Sequence, residues 1–138
     1  MKFIYLLIIL MTCSPNRKEV AKEDYSNLFE IALNICPEIK KYYHFEVEDR
    51  KVINMLIGES APLNRSIKCF GYKVNYERKY INDKSTWIEI WNYQKVSSNK
   101  FYLLYKIQNE EVFVETIIEK SKGKWYMKEC KIDVNRSK

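Results

Sequence analysis

Trp87, Glu89, Trp91 and Tyr93 stand two residues apart along one stretch of this chain, a spacing suited to recognition chemistry. In an extended strand alternate residues project from the same face. Three flat rings would then share a surface with one carboxylate, while Ile88 and Ile90 take the opposite face. Such rings can stack a sugar or anchor a protein. Glu89 would be costly to bury without a partner, which argues that this face meets water or a cleft. The plainer reading, favoured by the usual burial of Trp, is that both faces of a curved sheet are covered and the rings are core. These four residues are the candidate contacts for a protein or small-molecule partner.

Catalytic chemistry is poorly provided for. His44 is the single histidine, set among Tyr42, Tyr43 and Phe45, with no orienting partner legible in the sequence. A general base needs such a partner, so a partly buried, hydrogen-bonded histidine is the expectation. Gly58-Glu59-Ser60-Ala61-Pro62 begins like a nucleophile elbow, but proline stands where the second glycine belongs. His44 also precedes Ser60, against the order of that triad. A surface turn is expected there. Three glycines cannot build a phosphate cradle. No two cysteines are spaced as a metal clip. Glu46, Glu48 and Asp49 form an acidic cluster whose ordinary state is solvated. No cofactor or metal is implied.

Cys13 is different. Met1-Lys2 gives a positive start, Phe3 to Met11 is an apolar run, and Cys13, Ser14, Pro15 and a charged stretch follow. The run is about half the roughly 20 residues a bilayer-spanning helix needs, and its flanks suit a processing segment. A plain cleaved signal or a buried N-terminal strand is the competing reading. With Leu10 three residues ahead of Cys13, the segment resembles the lipobox of bacterial lipoproteins. The resemblance implies acylation of Cys13, cleavage before it, and a mature chain lipid-anchored in the bacterial cell envelope. Ser14 after the cysteine favours the outer membrane by the same resemblance.

Residues 1–12 are then a signal peptide, 13–22 the lipidated cysteine and a polar tether, and 23–138 one domain. The chain carries 24 basic and 18 acidic side chains, net +6. Lys outnumbers Arg by 19 to 5, whereas phosphate and nucleic-acid sites lean on the planar guanidinium. Nucleic acid is not an expected partner. A solvated surface is the default use of the charge, and attraction to anionic lipid or acidic envelope polymers is a milder one. With Cys13 acylated, Cys36, Cys69 and Cys130 remain, an odd count that allows one internal bridge at most. Quiet buried thiols are the first expectation. If a pair forms, Cys69 with Cys130 is the choice, since both fall on expected strands.

The elements that must position these residues divide the chain in two. Asp24 can cap a helix carrying Tyr25, Leu28, Phe29, Ala32 and Cys36 at helical spacing. Pro37 ends it and can open a short second helical stretch through Tyr43. Asp49 to Ile57 reads as a helix stopped by Gly58, with a strand over Val52 to Ile57 nearly as good. After Ser66 there is no proline. Phe70, Tyr72, Val74, Tyr76 and Tyr80 alternate with polar residues. Strands are expected over Thr86 to Val96, Lys100 to Gln108, Glu111 to Lys120 and Trp125 to Val134, separated by turn signals. The fold class is α+β, N-terminal helices packed on a curved antiparallel meander of four to five strands.

Lys122-Gly123-Lys124-Trp125-Tyr126-Met127 resembles the last hairpin of nuclear-transport-factor-2-like and cystatin-like domains, and a helix closing on Gly58 is similar to small outer-membrane assembly lipoproteins. Neither resemblance brings a catalytic residue. The sequence favours a membrane-anchored, non-enzymatic binding or accessory module. The alternatives are an enzyme acting on envelope polymers through acidic residues, and an inhibitory, immunity or assembly lipoprotein.

Overall fold

A computed structural model describes residues 24–76, 81 and 85–134. The predicted signal, Cys13 and most of the tether lie outside the described residues. Helix α1, Tyr25–Asn34, begins where Asp24 accepts a 2.9 Å hydrogen bond from the Ser26 backbone N–H. Leu28, Phe29, Ala32 and Leu33 form its buried stripe. Cys36 takes an extended conformation (φ −99°, ψ 99°) ahead of Pro37, as proline's ring requires of the residue before it. Pro37–Ile39 then makes a 3-10 turn that runs into α2, Lys40–Tyr43. This single turn ends on His44 in the left-handed region at φ 55°.

Strands β1 (Ile53–Leu56), β2 (Lys68–Cys69), β3 (Tyr72–Asn75), β4 (Ile88–Ser97), β5 (Lys100–Ile107), β6 (Val112–Ser121) and β7 (Lys124–Val134) follow. They form one mixed sheet in the order β2-β3-β1-β4-β5-β6-β7. The last four are the expected antiparallel meander, within a residue or two of the expected bounds. The fold is therefore α+β, but the expected four to five antiparallel strands are corrected: among the described residues there are seven in a mixed sheet, with two short α-helices.

The helical reading of Asp49 to Ile57 is corrected to a 3-10 turn, Glu48–Arg50, followed by β1. Two parallel partners, β3 and β4, flank β1, and Ile53, Asn54 and Met55 are buried in succession. A strand covered on both faces loses its alternation, which is why its apolar residues imitate a helical stripe. The buried Asn54 carboxamide oxygen is satisfied by Asn75 Nδ2 at 3.1 Å.

The expected strand from Phe70 is also corrected. Phe70 (φ 53°) and Gly71 (φ 88°) form the two-residue turn of the β2–β3 hairpin, the conformation that a tight hairpin demands. Phe70 is thus a turn residue outside the strand that holds Tyr72 and Val74, although it and Tyr72 both pack on the Phe45 ring, at 5.5 and 5.1 Å. The further expectation for Tyr80 lies outside the described residues.

The core lies between α1 and the meander. Phe101, Leu103, Tyr105 and Ile107 of β5 and Val112, Val114, Thr116 and Ile118 of β6 are buried at alternate positions. Cys36 and Cys130 form a disulfide with Cα atoms 6.4 Å apart. The expected Cys69–Cys130 bridge is thus wrong, and Cys69 is a free, buried thiol. Cys69 lies on β2 and Cys130 on β7, the two ends of the strand order. The loop after α1 reaches β7 instead.

Candidate functional site

Bulges decide which side chains reach the sheet face opposite α1. Along β4 the register shifts between Ile90 and Asn92, and the extra residue of a bulge reverses the alternation beyond it. Glu89, opposite Lys106, and Trp91 therefore keep to the outer face. Tyr93, opposite buried Leu103, turns to the core. Its ring meets Phe29 at 5.0 Å and Tyr25 at 6.5 Å. Trp91 is 52% exposed and meets Phe113 of β6 edge-on at 4.9 Å.

Trp91 and Phe113 share this face with Leu104 and Tyr102 of β5 and Ile117 of β6, all at the alternate register from the core rows. Charged pairs edge the apolar strip. Lys106 Nζ lies 2.8 Å from Glu111 and 5.2 Å above the Phe113 ring. Lys131 lies 3.0 Å from Glu129 and 3.6 Å from Glu115, and the hydrogen bond to Glu129 raises its pKa. The exposed Lys131 pairs add little stability, and with the Lys106–Glu111 pair they fix which charges border the rings. Glu89 accepts a hydrogen bond from Gln108 Nε2, which answers its need for a partner.

Of the four predicted contacts, then, Glu89 and Trp91 share the outer face and Tyr93 does not. Trp87 precedes the strand and is half-buried; among the described residues its indole N–H meets no hydrogen-bond partner, while its carbonyl accepts from Gln108 N–H at 2.9 Å. Phe113, Tyr102 and Leu104 were missed. Their strands are apolar on both faces, so the outward residues could not be told from the core by pattern.

A second constellation gathers on the β5–β6 turn. His44 Nδ1 is 2.7 Å from Glu46 Oε1, and His44 Nε2 is 3.6 Å from Glu110 Oε2. Glu110 also pairs with Arg50, and Asn109 Nδ2 donates to the Ser85 carbonyl. His44 therefore has the orienting carboxylates that the sequence did not disclose. The group could pass a proton, but its geometry is that of a latch holding the 44–51 loop to the turn. Ser60 lies in an exposed turn, with Ala61 N–H bonded to the Gly58 carbonyl at 2.9 Å. Among the described residues no group of three or more His, Cys, Asp or Glu is arranged to hold a metal ion. None of the described helices is long and apolar enough to cross a membrane.

Surface clefts lie elsewhere. One of about 510 Å³ runs beside the disulfide, between Tyr42 and Met127. Another, of about 390 Å³, is bounded by Leu63, Arg65 and Tyr76. Arg65 holds the nearby Glu30 carboxylate at 2.7 Å and lowers its pKa. Comparison with protein-family models, curated proteins and solved structures finds no match to this chain.

Proposed function

We propose that this chain is a bacterial envelope lipoprotein, anchored through acylated Cys13, that works as a non-enzymatic binding module. Its partner is a protein, met by the outer face of the sheet. The observation that carries this reading is the position of Trp91, half exposed and braced edge-on by Phe113. Interface cores favour exposed aromatic rings with charges kept to the rim, and the Lys106–Glu111 and Lys131–Glu129 pairs stand at that rim. A flat strip of this kind suits a protein surface better than a small molecule, which needs concavity. The Cys36–Cys130 bridge supports export, because disulfides persist in oxidising compartments. An inhibitory or assembly accessory would use the same surface.

Two measurements test it. A clickable fatty acid should label the wild-type chain and not Cys13→Ala; equal labelling overturns the anchor. A photo-crosslinking residue at position 91 should give a discrete adduct in whole cells, lost when Phe113 is changed to Asp. The same residue at position 59, in the exposed turn after β1 and away from this face, serves as the control. If position 91 yields no adduct above that control, this face is not the contact.

A further inference from the structure

The two hairpin tips β4–β5 and β6–β7 meet at one end of the sheet, where Lys120 N–H donates to the Asn99 carbonyl at 2.7 Å. Lys95, Lys100, Lys120, Lys122 and Lys124 are gathered there around Glu119. Glu119 is already shared by Lys100 and Lys128, each at 3.7 Å. Among the described residues Lys122 and Lys124 have no ion-pair partner. Val96, Tyr126 and Met127 add exposed apolar surface beside them, at 50%, 52% and 47%. At the opposite end Glu48, Glu110 and Glu111 are matched by Lys51, Arg50 and Lys106 in ion pairs, so no comparable excess of positive charge stands there.

The chain joins the fold at the basic end. Tyr25, the first residue of α1, packs its ring on Phe101 at 6.3 Å, and Phe101 lies opposite Lys95, one residue from the β4–β5 tip. Ten residues separate Cys13 from Asp24, which at full extension span about 40 Å at most. An anchored Cys13 therefore holds the basic end within about 40 Å of the bilayer, near enough to reach its surface, and leaves the orientation of the domain to be set by other contacts.

We infer that the basic hairpin tips dock on the anionic phospholipid surface beside the anchor, fixing the domain upright with its β5–β6 turn outward. The inference rests on the anchored reading of Cys13. A lysine near an anionic surface strengthens membrane attachment about fivefold, so several lysines hold an orientation that a tether alone leaves free. In this pose the outer sheet face stands perpendicular to the bilayer, where a partner in the same membrane can reach Trp91.

Hydrogen exchange of the full-length chain in vesicles tests the docking. On vesicles one-third phosphatidylglycerol, the tip amides of residues 97–100 and 121–124 should exchange several-fold more slowly than on pure phosphatidylcholine. The protection should vanish in Lys122→Gln/Lys124→Gln and in 0.5 M salt, which shortens the screening length to a few ångströms. Equal exchange on the two vesicle types overturns the inference. So does protection by a soluble polyanion without protection by the anionic vesicles. Fatty-acid labelling of Cys13 is read separately. A labelled chain with unprotected tips removes the docking and keeps the anchor; an unlabelled chain with protected tips does the reverse.

Discussion

Trp91 and Tyr93, two residues apart on one strand, lie on opposite faces of the sheet, because the bulge at Ile90–Asn92 stands between them. Tyr93 meets Phe29, and Trp91 meets Phe113. Their truncations should separate accordingly. Tyr93→Ala removes a ring from the α1 packing and should cost about 2–4 kcal/mol. Trp91→Ala loses one edge-on contact from an exposed ring and should cost about 1 kcal/mol. Denaturant unfolding of both variants checks this; equal costs would return Trp91 to the core.

The disulfide closes a loop with a sequence separation of 94 residues. Loops of that size are worth about 4–5 kcal/mol through restriction of the unfolded chain. Reduction, Cys36→Ser and Cys130→Ser should therefore destabilise the fold to a similar degree, whereas Cys69→Ala should not alter the bridge. Thiol titration of the denatured, unreduced protein should find one reactive group, Cys69, when Cys13 is acylated, and two when it is not.

Alkaline stability should depend on Tyr43. Burial pushes its phenol up to about 12, and its hydroxyl lies 3.1 Å from the Val52 carbonyl. The folded value is raised, so the stabilisation is complete below the ordinary value of 10.0 and is lost as pH rises from there towards about 12. The loss is on the order of 2–3 kcal/mol. Melting temperatures should begin to fall just above pH 10, and less steeply in Tyr43→Phe. The acid side runs in the opposite sense. The hydrogen bond from Arg65 lowers Glu30 below 4.5, so its contribution is present above that pH and lost below it. Glu30→Gln should flatten the acid limb of the stability curve.

The β2–β3 turn carries a local conflict. Gly71 sits at φ 88° with nothing within 4 Å of an added Cβ, so Gly71→Ala should cost only the left-handed penalty of about 1–2 kcal/mol. Phe70 bears the same kind of strain at φ 53° in return for its contact with Phe45. Asn tolerates this region better, but the ring contact would be lost. Phe70 also meets Tyr43 at 6.1 Å, so Phe70→Asn should be destabilising in the full chain and less so in a Phe45→Ala background, a double-mutant cycle read by chemical denaturation.

Where a strand had one covered face, the sequence alone was enough. The capped start of α1, the stop at Pro37 and the bounds of β4 to β7 follow from local rules: side-chain capping, the clash before proline, and turn residues between long apolar runs. The same local rules misread β1, an interior strand buried on both faces, where alternation is lost. They also misread Phe70, because a bulky residue in a left-handed turn is held there by distant rings. Cys36 found Cys130 because the post-helix loop crosses to β7, a relation between elements that spacing does not encode. The candidate face was half legible. Glu89 and Trp91 were found by period two, but one bulge sends Tyr93 to the core, and Phe113 comes from another strand. His44 shows the same divide: its identity is local, and its carboxylate partner Glu110 arrives from 66 residues away. Composition and period determine which residues can lie together on an element, and only the packed sheet decides which face water reaches.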